Sequence, residues 1–249
     1  MIIDVITIFP ALFGAFLDTG MLRVARTTGR LRMHLWDLRD FTEDRHRKID
    51  DRPYGGGPGM VLRPEPIFRA VSRIEVLRGS VGTRIILGPG GVKFSDNIAR
   101  ELALIDNLTL ICGRYEGFDE RVRMGLEPRE ISIGDYVLTG GELAAMVVVD
   151  ALVRWIPGVL GDSTSATRDA FSEGVLGYPQ YTRPPEYQGM AVPEVLRSGN
   201  HAAIDRWRRE EAWRQTRERR ADLLSRPGDD SIAPAPEEKA AVPAGGSDS

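Results

Sequence analysis

Over its first 156 residues the chain alternates short runs of branched apolar residues with longer amphipathic runs. That alternation limits it to an α/β fold with a mostly parallel sheet. Residues 2–8 predict a strand, 10–26 a helix and 31–38 a second strand. Residues 64–77 predict a helix with proline in its first turn. A buried strand follows at 83–87. Ser95 then caps a helix that carries Ile98, Ala99 and Leu102 on one face. The pattern closes with a strand at 108–112, a helix at 118–126, a strand at 130–133 and a strongly apolar helix at 141–156.

Three successive strands run straight into glycine. The loops are Gly88-Pro89-Gly90-Gly91, then Gly113-Arg114-Tyr115-Glu116-Gly117, then Gly134-Asp135-Tyr136-Val137-Leu138-Thr139-Gly140-Gly141. In parallel sheets, ligands bind beyond the carboxyl ends of strands. Glycine lets backbone approach a ligand closely. Three such loops on one edge make a nucleoside-sized pocket, although each alone would also serve as a tight strand–helix turn. Other chemistries lack their signatures. The chain has no P-loop, no Gly-x-Gly-x-x-Gly and no Gly-x-Ser-x-Gly elbow. His34, His46 and His201 are scattered without metal-ligand spacing. Cys112, the one cysteine, ends a buried strand and predicts a packed thiol. It can form no disulfide within the chain, which suits a cytoplasmic protein. A fourth glycine segment, Asp50 to Met60, lies in a loop long enough to need a role, and its Pro53, Tyr54 and Met60 suit an ordered lid.

Composition divides the chain further. Residues 1–160 predict the α/β domain, 161–172 a linker, 173–226 a helical domain and 227–249 a disordered acidic tail. Asn200 predicts the cap of a helix bearing Ile204 and Trp207. The net charge of −3 hides an uneven distribution. The tail carries five acids and one base, net −4, so the rest sums to −3 + 4 = +1. Residues 197–226 hold nine arginines against five acids. Arginine forks fit phosphates and base edges, although a GC-rich coding sequence would give the same bias. No apolar run approaches the ~20 residues that span a bilayer. The apolar start carries Asp4 and no basic flank, so it reads as strand and helix rather than a signal peptide.

Five longer motifs are specific. They are Cys112-Gly-Arg-Tyr-Glu-Gly-Phe-Asp-Glu-Arg121, Ile131 to Leu138 with Gly140-Gly-Glu142, Tyr54 to Met60, Tyr181-Thr-Arg-Pro184, and Val192 to His201. With these motifs in the family's order along the chain, residues 1 to about 224 resemble the bacterial tRNA (guanine-37-N1)-methyltransferase family. It departs from that pattern at Gly90, Gly177 and Gln180. The resemblance implies a SPOUT-type α/β domain with a deep trefoil knot, a helical C-terminal domain and a homodimer. It also implies S-adenosylmethionine as methyl donor, tRNA held by its anticodon stem-loop, and a dependence on Mg2+ with no metal site assigned to the chain.

The resemblance assigns roles by residue. Asp169 matches the base that takes the N1 proton of guanine, and Arg154 the cation that stabilises charge on O6. Leu87, Gly88, Pro89, Gly113, Tyr115, Glu116 and Gly117 match the donor pocket, as do Ser132, Ile133, Gly134, Asp135, Tyr136, Val137, Leu138, Gly140 and Gly141. Asp50, Arg114, Glu116, Arg183, Arg208 and Arg209 match RNA contacts. Arg208 and Arg209 also suit a solvated helix face paired with Glu211 and Glu218. Two alternatives stay open here: a knotted methyltransferase acting on another RNA base or a ribose, and a non-catalytic RNA-binding relative.

Overall fold

Branched apolar strands build the centre of the first unit. The computed structural model describes residues 1–160, 170–171 and 174–224. Its early strands are β1 (Ile2–Thr7), β2 (Arg32–Asp37), the short pair β3 (Asp50–Asp51) and β4 (Val61–Leu62), then β5 (Thr83–Lys93), β6 (Asn107–Cys112) and β7 (Arg129–Ser132). Five of them form one sheet in the order β2-β1-β6-β5-β7, every neighbour parallel. The α/β expectation therefore holds. The helices of this unit are α1 (Gly14–Leu17), α2 (Gly20–Thr27), α3 (Pro64–Arg78), α4 (Asp96–Ala103), α5 (Arg121–Leu126) and α6 (Gly141–Val153).

Strand side chains alternate between faces, and both faces are buried. Ile85, Leu87, Leu110 and Cys112 join one core with residues of α2, α4 and α6. Ile86 and Ile111 join the other, with Ile67, Val71 and Ile74 of α3 and Val122 and Leu126 of α5. Burying each such side chain contributes about 1.5–3 kcal/mol. Ser95 caps α4 as expected, its hydroxyl accepting from Ile98 N–H. Asp4 is 1 % exposed and ties three elements together. It accepts from Trp36 Nε1 at 2.7 Å, and from Arg78 Nε at 2.9 Å and Nη2 at 2.7 Å.

Four elements differ from the sequence pattern, each for a local reason. The helix expected over 10–26 is a 3-10 turn (Pro10–Phe13) followed by α1 and α2. Thr19 is extended there and Gly20 has φ +52°. Helix α5 begins only at Arg121, because Phe118 and Asp119 pair with Leu62 instead. Strand β5 runs on to Lys93: Ile131 of β7 is in register with Leu87 and again with Val92, so Gly88–Gly91 leave the ladder and rejoin it. The long loop at 50–60 closes as a hairpin, with Asp50 opposite Leu62 and Asp51 opposite Val61.

The second unit comprises residues 167–249. It contains the hairpin β8 (Glu186–Tyr187) and β9 (Met190–Ala191), then α7 (Glu194–Arg197) and α8 (His201–Arg219). Asn200 caps α8 through Ala203 N–H at 3.2 Å. Thr216, fully buried, accepts from Leu176 N–H at 2.8 Å and donates to the Ala212 carbonyl at 2.7 Å. Tyr181 packs against Trp207 with ring centroids 6.3 Å apart. Among the described residues no helix is long and apolar enough to cross a membrane. The tail expected to be disordered lies outside the described residues.

Candidate active site

The three glycine loops meet. Strands β5, β6 and β7 are adjacent and parallel, so their carboxyl ends deliver the loops to one edge, where they line a cavity of about 400 Å³. All the residues matched to the donor pocket line it except Asp135, whose side chain is 92 % exposed and lies 3.7 Å from Lys93. Apolar lining comes from Leu87, Ile131, Ile133, Leu138 and Ala144, and aromatic lining from Tyr115, Phe118 and Tyr136. Size and lining fit a nucleoside with an apolar tail.

Small residues let the loops touch. Gly141 N–H donates to the Gly113 carbonyl at 2.8 Å, and Arg114 bridges Gly140 antiparallel. A Cβ on Gly141 would sit 2.9 Å from both Cys112 Cα and Gly113 N, and one on Gly140 would collide with the Arg114 guanidinium. A Cβ on Gly91 would run into the Glu130–Ile131 peptide. Cys112 is packed beneath, as expected; burial pushes its thiol well above the usual range, and the Glu142 carboxylate adds to this.

The β3–β4 hairpin lies against the middle loop. Glu116 N–H donates to the Met60 carbonyl at 3.0 Å, and Leu62 N–H to that of Gly117 at 2.9 Å. Tyr115 adopts φ +58°, a costly conformation for a side chain of its size. Burial, then the nearby Asp50 carboxylate, raises the pKa of its hydroxyl. At the hairpin tip Tyr54 is 99 % exposed, and Gly55, Gly56, Gly57 and Gly59 all have positive φ.

Three charged residues line the cavity: Arg114, Glu116 and Arg123. Arg114 is neutralised by Glu142 at 2.9 Å, and Arg123 by Glu120 at 3.1 Å and Glu130 at 3.2 Å. Glu116 has no ion-pair partner among the described residues. The pocket therefore offers a negative charge, which suits a cationic ligand.

A family model described as tRNA (Guanine-1)-methyltransferase TrmD matches residues 1–226. The chain belongs to that family. It is 53% identical over 229 residues to the tRNA (guanine-N(1)-)-methyltransferase of Moorella thermoacetica, covering 91% of each chain. It is 53% identical over 224 residues to that of Dictyoglomus turgidum, covering 90% of each. It is 52% identical over 225 residues to that of Geobacillus kaustophilus, covering 90% of this chain and 91% of the relative.

The remaining family positions are spread over both units. Arg154 caps the C-terminus of α6 and is exposed. Ala144 is the last residue of α6 that lines the cavity, and ten helical residues at ~1.5 Å each put Arg154 about 15 Å further along the helix. Asp169 lies outside the described residues. Asp50 lies near enough to Tyr115 to act on its hydroxyl, and Arg114 sits inside, held by Glu142 and the Thr139 carbonyl. Arg183 is exposed, ahead of a cis proline. On α8, Glu211 and Glu218 both bind Arg214, so they do not neutralise Arg208 and Arg209. Arg208 lies over the Tyr178 ring at 4.9 Å, and Arg209 has no ion-pair partner among the described residues. In this methyltransferase the sequence reading gave no pocket role to Phe118, Ile131, Arg123, Thr139 and Ala144. Thr139 lay inside a named glycine loop, so position alone was a usable signal. It also gave no role to Thr7 and Glu142, which the chain brings together from 135 residues apart at 2.8 Å.

Proposed function

We propose that this chain transfers the methyl group of S-adenosylmethionine to N1 of guanosine 37 of tRNA, beside the anticodon. The family makes it a tRNA guanine-N1-methyltransferase. The observation that carries the donor assignment is the three-loop cavity with the Glu116 carboxylate, without an ion-pair partner among the described residues, in its lining. Leu87, Gly88, Pro89, Gly113, Gly117, Ile133, Tyr136, Leu138, Gly140 and Gly141 would hold the donor. When bound, it supplies an electrophilic methyl group on a sulfonium, whose departure needs no enzyme nucleophile.

The chain's own task is the proton. Guanine N1 forms a bond to the methyl carbon while its N–H bond breaks, and Asp169 takes the proton. An ordinary aspartate has a pKa near ~3.9, far below that of N1–H. The transfer therefore needs stabilisation of the charge that develops on O6, which Arg154 supplies. Arg154 lies about 15 Å along α6 from the last pocket residue of its own chain. We therefore assign it to the pocket of a second copy. Leu143 and Val147, one turn apart on α6, are about half exposed. Together they offer an apolar face to that copy. Asp50, Arg183, Arg208 and Arg209 would contact the tRNA. A cytoplasmic location fits a single buried thiol.

The test is methyl transfer from labelled S-adenosylmethionine to unmodified tRNA transcripts carrying guanosine or adenosine at position 37, with wild type and Asp169→Asn. N1-methylguanosine with the first transcript, lost with adenosine and with Asp169→Asn, is expected. Transfer that ignores position 37 would move the reaction to another RNA site. Donor binding without transfer would make the chain a non-catalytic binder.

A further inference from the structure

Four residues from three separate segments form a closed ring beneath the donor pocket. Phe9 N–H donates to Thr7 Oγ1 at 2.9 Å, and the Thr7 hydroxyl donates to Glu142 Oε1 at 2.8 Å. Glu142 Oε2 accepts from Arg114 Nε at 2.9 Å. The Arg114 guanidinium then lies over the Phe9 ring, 4.6 Å from its centroid, which closes the ring. Thr7 and Glu142 are each 1 % exposed. A buried carboxylate is costly unless its oxygens are matched. Both oxygens of Glu142 are matched, and it sits in the first turn of α6, where the helix end favours negative charge.

Each corner of the ring belongs to something the pocket needs. Thr7 ends β1, and Glu142 directly follows Gly140 and Gly141. Arg114 directly precedes Tyr115 and Glu116, and its Nη1 also donates to the Thr139 carbonyl at 3.2 Å. Two of the three glycine loops are thus fastened to each other and to the end of a core strand. The β3–β4 hairpin is fastened in turn, since Glu116 N–H bonds to the Met60 carbonyl and Leu62 N–H to that of Gly117. A threonine, rather than a valine of the same shape, is required at position 7 because the hydroxyl both accepts and donates.

We propose that Glu142 and Thr7 are positioning residues for methyl transfer: acting through Arg114, they set the separation of the Gly113–Gly117 loop from the Thr139–Gly141 turn, and so the affinity for the methyl donor. This inference rests on the donor-pocket reading above. It removes Arg114 from the set of RNA contacts and makes it the clasp between the loops.

The test uses the full chain and S-adenosylmethionine as the probe. Equilibrium binding and steady-state kinetics are measured for wild type, Thr7→Val, Thr7→Ser, Glu142→Gln and the double variant Thr7→Val/Glu142→Gln, below the melting transition of each. Loss of one charge-assisted hydrogen bond corresponds to a factor of about ten. Thr7→Val and Glu142→Gln should each weaken donor binding by about tenfold and raise the KM for the donor more than they lower kcat. The double variant should bind no worse than the weaker single variant, because both break one ring. Thr7→Ser restores the hydroxyl and should recover affinity. Thr7→Val, which changes no shape, keeps the inference testable if Glu142→Gln does not fold. A lower melting temperature with unchanged donor affinity would make the ring merely structural and overturn the inference. A wild type that binds no S-adenosylmethionine would overturn both this and the donor reading. A wild type that binds it, shows this contrast, and methylates a site other than guanosine 37 would overturn the substrate assignment alone.

Discussion

Gly141 and Gly88 both lack room for a side chain, yet the obstacles differ in kind. A Cβ at Gly141 meets the backbone of Cys112 and Gly113, neither of which can move without opening the pocket. At Gly88 it meets the end of the Glu130 carboxylate, which can swing away from Arg123. Gly141→Ala should therefore lower stability by about 1–3 kcal/mol, the usual range for overpacking, and abolish donor binding. Gly88→Ala should cost less in a thermal melt. Equal losses would show that the Glu130 carboxylate is as fixed as backbone. Cys112 offers a second check at this scale. Its thiol is buried and its pKa raised, so little thiolate forms near neutral pH. A disulfide reagent at pH 8 should label it only after unfolding. Single residues were also where the sequence was most readable. The glycine loops and both helix caps, Ser95 and Asn200, stood out because each needs one residue type for a local reason. Thr7 and Glu142 were unreadable, since their partnership spans 135 positions and neither type is unusual where it sits.

At the level of elements, the parallel α/β architecture follows from alternation, but the strand order and three further details do not. The excursion Gly88–Gly91 inside β5 is decided by β7, which accepts Leu87 and Val92 on either side of it. The late start of α5 is decided by Leu62, which takes Phe118 and Asp119 into a bridge. The break before α2 is decided by Gly20. The first two are tertiary effects that no window of sequence contains, whereas the third was visible as a glycine inside the helical pattern. Asp4 links β1, β2 and α3 through Trp36 and Arg78. Breaking a buried pair by removing one partner costs about 3–5 kcal/mol. Asp4→Ala should thus shift the urea midpoint markedly. A shift no larger than that of a surface substitution would mean that solvent already screens the pair.

At the scale of the whole molecule, α6 separates the two ends of the chemistry. Its first turn belongs to the pocket and Arg154 stands at its far end, so one chain alone does not complete the proposed site. Co-expressing Gly141→Ala with Arg154→Ala should restore methyl transfer that neither variant shows alone, because one of the two shared sites keeps an intact pocket and an intact Arg154. No restoration would place Arg154 in the pocket of its own chain. The β3–β4 hairpin carries a consequence of another kind. Around Gly55, Gly56 and Gly57 no atom lies within 4 Å of where a Cβ would stand, so conformational preference rather than packing holds that tip. Glycine loses more backbone freedom on ordering than any other residue, roughly 1–2 kcal/mol per residue fixed. Clamping such a tip over a bound nucleic acid would lower the net affinity by that entropy, and the same amount would be returned on release. A tip that must be ordered afresh at each binding event would hold its ligand loosely and let it go easily.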